Sequence, residues 1–514
     1  MTPTPEQKAI ITEARTSTIN LMCNAYAGCS KTTTLTMIAE ALEATGGLAL
    51  AFNVKIKKEL EARFPKSFDV LTLNGLGHRA WGKAIGKRLL LENKKLGQII
   101  TEESRGYHTT PDDWGDIRKL VSLAQAAGIV PSRYPHRPLR PDTVESWAEL
   151  AEENWIEPKE QTIVLARKVL EESVRQAFEG RITYDDQIYC SAMLGGVFPR
   201  YPLVMVDEAQ DLSPLNHIQV KRSAADRLIV VGDIKQAIYG FRGADSNSME
   251  SLRCLRSEWK DLPLTTTFRC PRVVVARQQD HAPGFTAFEK NKDGRVLNAV
   301  HKTPRAGEEK FGTEEGTWSW SDVEALAQGE VAILCRNNAP LLSMAFKLLR
   351  QRVGVKMLGR DIGKGLVQLS KKVLPSDAMS MEDCVKVVGV WKDQQIAIAQ
   401  ANGDEHKIVG LTDRAECLLA VLEYSTNAGD LRKKLDDIFS REHGTVTLAT
   451  GHKAKGLEWQ TVIHLDPWRV PSNFAQKAAK RGDGRQLEQE KNLRYVIETR
   501  AQEILILANL ENFV

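Results

Sequence analysis

No CxxC pair occurs among the eight cysteines, which are scattered along 514 residues. That spacing argues against a zinc ribbon, an iron–sulfur cluster or a secreted disulfide framework. Reduced thiols in a cytoplasmic compartment are expected, or in a nucleus if the source is eukaryotic. Long apolar runs are missing too: none reaches membrane-spanning length. The opening MTPTPEQKAI lacks the basic flank and apolar core of a signal peptide, so no membrane partner is expected. There is no repeat of 20–50 residues and no low-complexity tract. A surplus of one charge is also lacking. Lys plus Arg number 70 against 66 Asp plus Glu, a net charge of +4, so any nucleic-acid groove must come from local placement of charge.

What is present fits a soluble multidomain chain. Hydrophobic residues make up 42% and charged residues 26%, and this length predicts about three or four domains. Short apolar runs at 18–23, 48–52 and 69–73 alternate with helical stretches at 31–44 and up to 64. This βαβ pattern predicts a parallel α/β sheet. Residues 84–190 are rich in charge and lack obvious strands. Ile163, Ala166, Leu170, Val174 and Ala177 recur at helical spacing, so the segment reads as a helical insertion. Strands resume at 202–208 and 227–233. A polar stretch at 278–317 reads as loops. Further strands at 331–336, 445–450, 461–465 and 503–509 predict a second sheet, interrupted near 351–440. The expected division is 1–83 and 191–272 for a first core with 84–190 inserted, then 273–350 and 441–514 for a second core with 351–440 inserted.

Residues 25–32 read AYAGCSKT between a strand and a helix. In such a loop backbone N–H groups and the helix N-terminus cradle phosphate, with Ala25, Ala27, Gly28, Cys29 and Ser30 forming the turn. Lys31 would reach the β- and γ-phosphates of ATP, and Thr32 would ligate Mg²⁺. The strict pattern has glycine where this chain has Ala25 and Ser30. Taken alone, the segment is equally an ordinary βα turn with a surface lysine. The strand ending VMVDEAQD shifts the balance, because Asp207 and Glu208 fall at a strand's C-terminal edge, where open α/β sheets bind ligands. Asp207 would hold Mg²⁺, and Glu208 would orient and deprotonate the attacking water.

DEAQD followed by GDIKQAIYGFRGAD resembles the UvrD/Rep/PcrA branch of superfamily 1 helicases. Further segments match in the family's order: PEQ ending at Gln7, AFNVKIKKEL, TLNGLGHRAW, LTTTFRCP, TGHKAKGLEW and NLRYVIETRA. AFN with LTLNGLGHRAW is most similar to the F-box DNA helicase and phage helicase subgroup. The resemblance implies two RecA-like P-loop NTPase cores with parallel sheets, each carrying an inserted subdomain, the first mostly helical. It implies an ATP-dependent DNA helicase or translocase on single-stranded and tailed duplex DNA, moving 3′-to-5′, a monomer working beside replication, repair or recombination proteins. Two other readings stay open: a translocase that strips proteins with little unwinding, and a non-hydrolysing ATP-gated DNA-binding protein.

The same resemblance implies residue roles. Gln7 reads adenine and Phe268 stacks on it. Gln236 senses the γ-phosphate, which Arg269 and Arg500 clamp, and Glu458 touches the ribose. Thr33 stands where relatives often have an arginine on the adenine. DNA contacts fall to Phe52, Asn53, Asn74, His78, Tyr239, Phe241, Arg242, Thr450 and His452, with stacking by Tyr239 and Phe241. Core packing competes with this role most strongly at Phe52 and His78, and surface ion pairing competes at the two clamp arginines taken singly.

Overall fold

A computed structural model of the chain describes residues 2–153, 156, 159–238, 245, 247–300, 307–313, 316–327, 329–401, 405–482 and 484–514. It forms two compact units. The first comprises Met1–Ala25 and Ser30–Leu264, and the second Tyr26–Cys29 and Thr265–Val514. The expected end of the first core at 272 therefore moves to Leu264. Thr266–Thr267 pairs in parallel with Thr286–Ala287, which ties that segment to the second unit.

The first unit is built on six parallel strands: β1 (Asn20–Ala25), β2 (Gly47–Ala51), β3 (Phe68–Thr72), β4 (Tyr201–Val206), β5 (Ala224–Gly232) and β6 (Trp259–Leu264), in the order β3-β2-β4-β5-β1-β6. The apolar centres of β4 and β5 are buried, as a parallel sheet covered on both faces requires. All C-terminal ends point to one edge. The loops after β1, β4 and β5, which hold the phosphate-loop motif, Asp207 and Asp233, therefore open there. The helix expected to run to 44 stops at Ala41, and Leu42 to Gly46 form a turn ahead of β2.

The insertion is helical as expected, with helices Lys95–Glu103, Pro111–Ala126, Val144–Glu153, Glu160–Phe178 and Tyr184–Met193, plus a two-residue ladder, Leu90–Leu91 with Arg181–Ile182. The apolar row from Ile163 to Ala177 is buried throughout. Helix Leu73–Ile85 lies tight on Tyr184–Met193, and a Cβ at Gly77 would fall 2.1 Å from the Gln187 carbonyl oxygen. Trp81, buried, donates to the Ala177 carbonyl at 3.1 Å. At the centre Lys95 Nζ meets Asp186 Oδ2 at 2.7 Å, both side chains fully buried. Gln125 and the Thr183 N–H complete the carboxylate's partners at 2.7 Å each. Three helices are thereby joined through one carboxyl group.

The second unit carries β7 (Arg295–Asn298), β8 (Glu309–Lys310), β9 (Val331–Cys335), β10 (Val355–Met357), β11 (Val446–Thr450), β12 (Trp459–Leu465) and β13 (Ala501–Ala508), all parallel, in the order β8-β7-β13-β12-β9-β11-β10. Two expectations change. The stretch read as loops contributes β7 and β8, because two buried apolar residues, Val296 and Leu297, suffice to seat β7 beside β13. The inserted segment begins later than 351, since β10 belongs to the sheet. It consists of helices Arg360–Val373, Met381–Ala401, Glu405–Leu422 and Ala428–Ser440. Among the described residues no helix is long and apolar enough to cross a membrane.

A buried ionic cluster lies beside this sheet. Glu498, 1% exposed, accepts from Arg277 Nε at 2.9 Å and from Gln278 at 2.7 Å, and lies 3.5 Å from His464 Nδ1. Burial works against the charged carboxylate, but His464, Arg277 and Arg494 prevail and hold its pKa at about 2.

Both clusters predict stability effects. Lys95→Ala leaves Asp186 buried and unpaired, and should cost about 3–5 kcal/mol by chemical denaturation. Glu498 contributes stability that is fully present above its ordinary value of 4.5 and lost as the pH falls towards about 2. Denaturation midpoints measured from pH 7 to 3 should therefore fall less steeply in Glu498→Gln than in the unmodified chain; equal slopes would refute the assignment.

Candidate nucleotide site

In the first unit the loop residues Lys31 and Thr32 begin helix Lys31–Ala41 at the C-terminal edge of the sheet. Thr32 Oγ1 donates to Asp207 Oδ2 at 2.8 Å, and Lys31 Nζ lies 3.5 Å from Glu208 Oε1. Asp207 follows β4 and is 1% exposed. Burial, reinforced by Glu208, pushes its carboxyl up to about 6 against the opposing charge of Lys31. Glu208 sits at φ +51°, in the left-handed region, and accepts from Gln210 Nε2 at 2.5 Å. Gln210 in turn accepts from the Asp233 N–H at 2.8 Å. Asp233, fully buried after β5, has its pKa raised by burial, with Lys31 opposing. It receives Gln236 Nε2 at 2.6 Å. Lys31, Thr32, Asp207, Glu208 and Gln236 thus form one connected set.

The Thr32 hydroxyl and the Asp207 carboxylate converge on each other, so one hard cation accepting oxygen ligands fits between them. Among the described residues no group of three or more His, Cys, Asp or Glu side chains is arranged as a self-sufficient metal site. A cation here must complete its shell with substrate phosphates and water, as Mg²⁺ does.

Other expected residues serve local structure. Gln7, 1% exposed, closes a capping box with Thr4 and donates to Thr34 Oγ1 at 3.0 Å. Thr34 donates to the Ser30 carbonyl at 3.0 Å, so Gln7 braces the start of the loop helix. Ala25 ends β1. Thr33 receives Arg63 Nη2 at 3.2 Å. An arginine thus reaches Thr33 from a neighbouring helix, which spacing along the chain gives no way to see.

In the second unit, Phe268 packs against Phe288 with ring centroids 4.8 Å apart. Arg269 is ion-paired with Glu458, which also accepts from Gln502 at 3.0 Å. Arg500, expected to reach a phosphate, is 1% exposed and donates to the carbonyls of Val496 and Leu457 at 2.9 and 3.2 Å. Burial, with Arg269 adding to it, lowers its pKa to about 10, so the guanidinium stays charged at neutral pH. Ala27, Gly28 and Cys29 belong to this unit.

The candidates for DNA contact divide. Phe52 is 39% exposed just beyond β2, because the strand ends one residue earlier at Ala51, and this counts against the competing core-packing reading. Asn53 caps helix Val54–Arg63 by accepting from the Ile56 N–H at 2.9 Å. Asn74 donates to the Tyr184 carbonyl and to Gln187, each at 3.0 Å, and the Gln187 amide meets His78 Nδ1 at 3.1 Å. Gln187, unmarked by any motif, therefore aligns both. Thr450 is buried at the end of β11, and His452 is half-buried. Tyr239, Phe241 and Arg242 lie outside the described residues.

Ser30, where the strict motif has glycine, adopts φ +55°, ψ +43°, the left-handed region that glycine enters most readily. An L-residue there costs about 1–2 kcal/mol. Ser30→Gly should therefore match or exceed the unmodified chain in thermal stability. Ser30→Val, β-branched, should lose about 1–2 kcal/mol. A valine variant as stable as the parent would contradict this backbone geometry.

Residues 131–254 match the UvrD/REP helicase N-terminal domain, and residues 391–512 the UvrD-like helicase C-terminal domain. The chain is 23% identical to F-box DNA helicase protein 1 of Schizosaccharomyces pombe over 98% of its own length and 57% of that protein's. It is 23% identical to F-box DNA helicase 1 of Gallus gallus over 94% of this chain and 47% of the relative. With ATP-dependent DNA helicase UvrD2 of Mycobacterium tuberculosis it shares 24% identity over 94% of this chain and 75% of that protein. The chain thus spans about half the length of the F-box relatives it matches. The chain thus carries matches to the two domains of UvrD-like helicases, in this order, on two parallel-sheet units, and is similar to the UvrD/Rep branch of superfamily 1 helicases.

Proposed function

We propose that the chain hydrolyses ATP with Mg²⁺ and uses it to move along single-stranded DNA and separate tailed duplexes. The observation that carries this reading is the connected set at the sheet edge: Thr32 on Asp207, Lys31 beside Glu208, and Gln236 on Asp233. Lys31 supplies positive charge to the phosphates. Thr32 and Asp207 are the residues that would hold Mg²⁺, which neutralises phosphate charge. Glu208, fixed by Gln210, takes the proton of the attacking water. Its left-handed backbone is the kind of strain that collects at functional sites. Arg269 and Arg500 are the arginines proposed for the γ-phosphate. For Arg269 this means exchanging its partner Glu458 for the nucleotide, and for Arg500 releasing backbone carbonyls.

For the nucleic acid, exposed Phe52 is the proposed stacking platform in the first unit, with Asn74 and His78 held beside the edge by Gln187. Movement 3′-to-5′ follows from the resemblance and is part of the proposal.

Lys31→Ala and Glu208→Gln should each lower ATP turnover by about 10²-fold or more. Unchanged turnover in either variant would remove the site assignment. In parallel, the unmodified chain should displace the strand of a 3′-tailed duplex in preference to a 5′-tailed one. ATP turnover without displacement on either substrate would leave a translocase and sink the unwinding claim.

A further inference from the structure

Residues Tyr26–Cys29, the first half of the phosphate loop, pack within the second unit through specific contacts. The Tyr26 ring meets Phe285 edge-on at 5.4 Å, and its hydroxyl donates to the Pro283 carbonyl at 3.0 Å. The Gly28 carbonyl accepts from the Phe268 N–H at 2.9 Å. Gly28 has φ +71°, and a Cβ there would fall 2.6 Å from both Arg269 Cβ and Thr267 Oγ1. Only glycine lets the loop lie this close to Arg269.

The remaining contact involves a residue with no role so far. The Ala27 N–H donates to the hydroxyl of Tyr495 at 2.8 Å. Both residues are fully buried. Tyr495 lies on helix Arg485–Glu498, its ring 5.7 Å from His281 and 6.2 Å from Phe285. Those neighbours allow the ring little freedom, so the hydroxyl is a fixed acceptor for one loop amide.

A phosphate loop binds by presenting backbone N–H groups in fixed directions. We propose that Tyr495 is a positioning residue for the nucleotide site. Its hydroxyl anchors the Ala27 N–H and so sets the path of the loop into Gly28, Ser30 and Lys31 before nucleotide arrives. Preorganisation of this kind raises affinity by removing the cost of ordering the loop on binding. The proposal rests on the nucleotide-site reading above and extends it to a residue outside the phosphate-contacting set.

Tyr495→Phe keeps the ring and removes only the hydroxyl. The dissociation constant for a fluorescent ATP analogue should rise about 5–10-fold, the effect of one buried hydrogen bond, while turnover at saturating ATP stays within about twofold. A purely structural tyrosine would lower the melting temperature and leave affinity unchanged. Unchanged affinity in the folded variant therefore overturns the proposal. Lys31→Ala, measured with the same analogue, separates the two claims, because undiminished binding there defeats the site reading itself, whatever Tyr495 does. If Tyr495→Phe does not fold, amide hydrogen exchange resolved to Ala27 in the unmodified, nucleotide-free protein decides. Protection of that amide is expected, and exchange as fast as in an open loop overturns the anchor.

Discussion

One lysine faces three carboxylates at the edge of the first sheet, and the chemistry of the site depends on that imbalance. Asp207 and Asp233 are buried, and Glu208 adjoins them. Burial pushes both aspartates towards protonation, Asp207 to about 6, while Lys31 pulls the other way. A site this short of positive charge would favour a divalent cation, and the Thr32–Asp207 pair is where one is proposed to bind. The fold supplies the imbalance cheaply. Parallel strands place the residues after β1, β4 and β5 on one edge, so carboxylates far apart in sequence meet the loop lysine.

Around that set runs a chain of amides and hydroxyls. Gln210 links Glu208 to the Asp233 backbone, Gln236 rests on Asp233, and Gln7 acts through Thr34 on the Ser30 carbonyl. None of these groups is itself charged at neutral pH. Each fixes the direction of one that is, or of the loop that carries it. In the second unit the tyrosine hydroxyl on Ala27 is the same kind of contact, made by a residue outside the phosphate loop.

Much of this was legible in the sequence. Apolar runs bounded by glycine and charge located the central strands, and DEAQD behind such a run placed Asp207 and Glu208 where they are found. Other features depended on tertiary contacts that spacing does not encode. The strand Arg295–Asn298 has only two buried apolar residues and so no detectable period, yet β13 recruits it. Phe52 read as the last residue of a buried strand, but a boundary one residue earlier turns the ring outward. Arg63 beside Thr33, Gln187 between Asn74 and His78, and Tyr495 on Ala27 are all contacts between elements distant in sequence. Ser30 shows the opposite case. Sequence flagged the missing glycine, and the backbone keeps the left-handed geometry with serine in place.

The most direct test of the central claim is the steady-state rate of phosphate release from Mg²⁺–ATP by the unmodified chain, measured with and without single-stranded DNA. The account predicts hydrolysis that requires Mg²⁺ and rises steeply when DNA is added. Absence of hydrolysis under both conditions, or a rate indifferent to DNA, would contradict it.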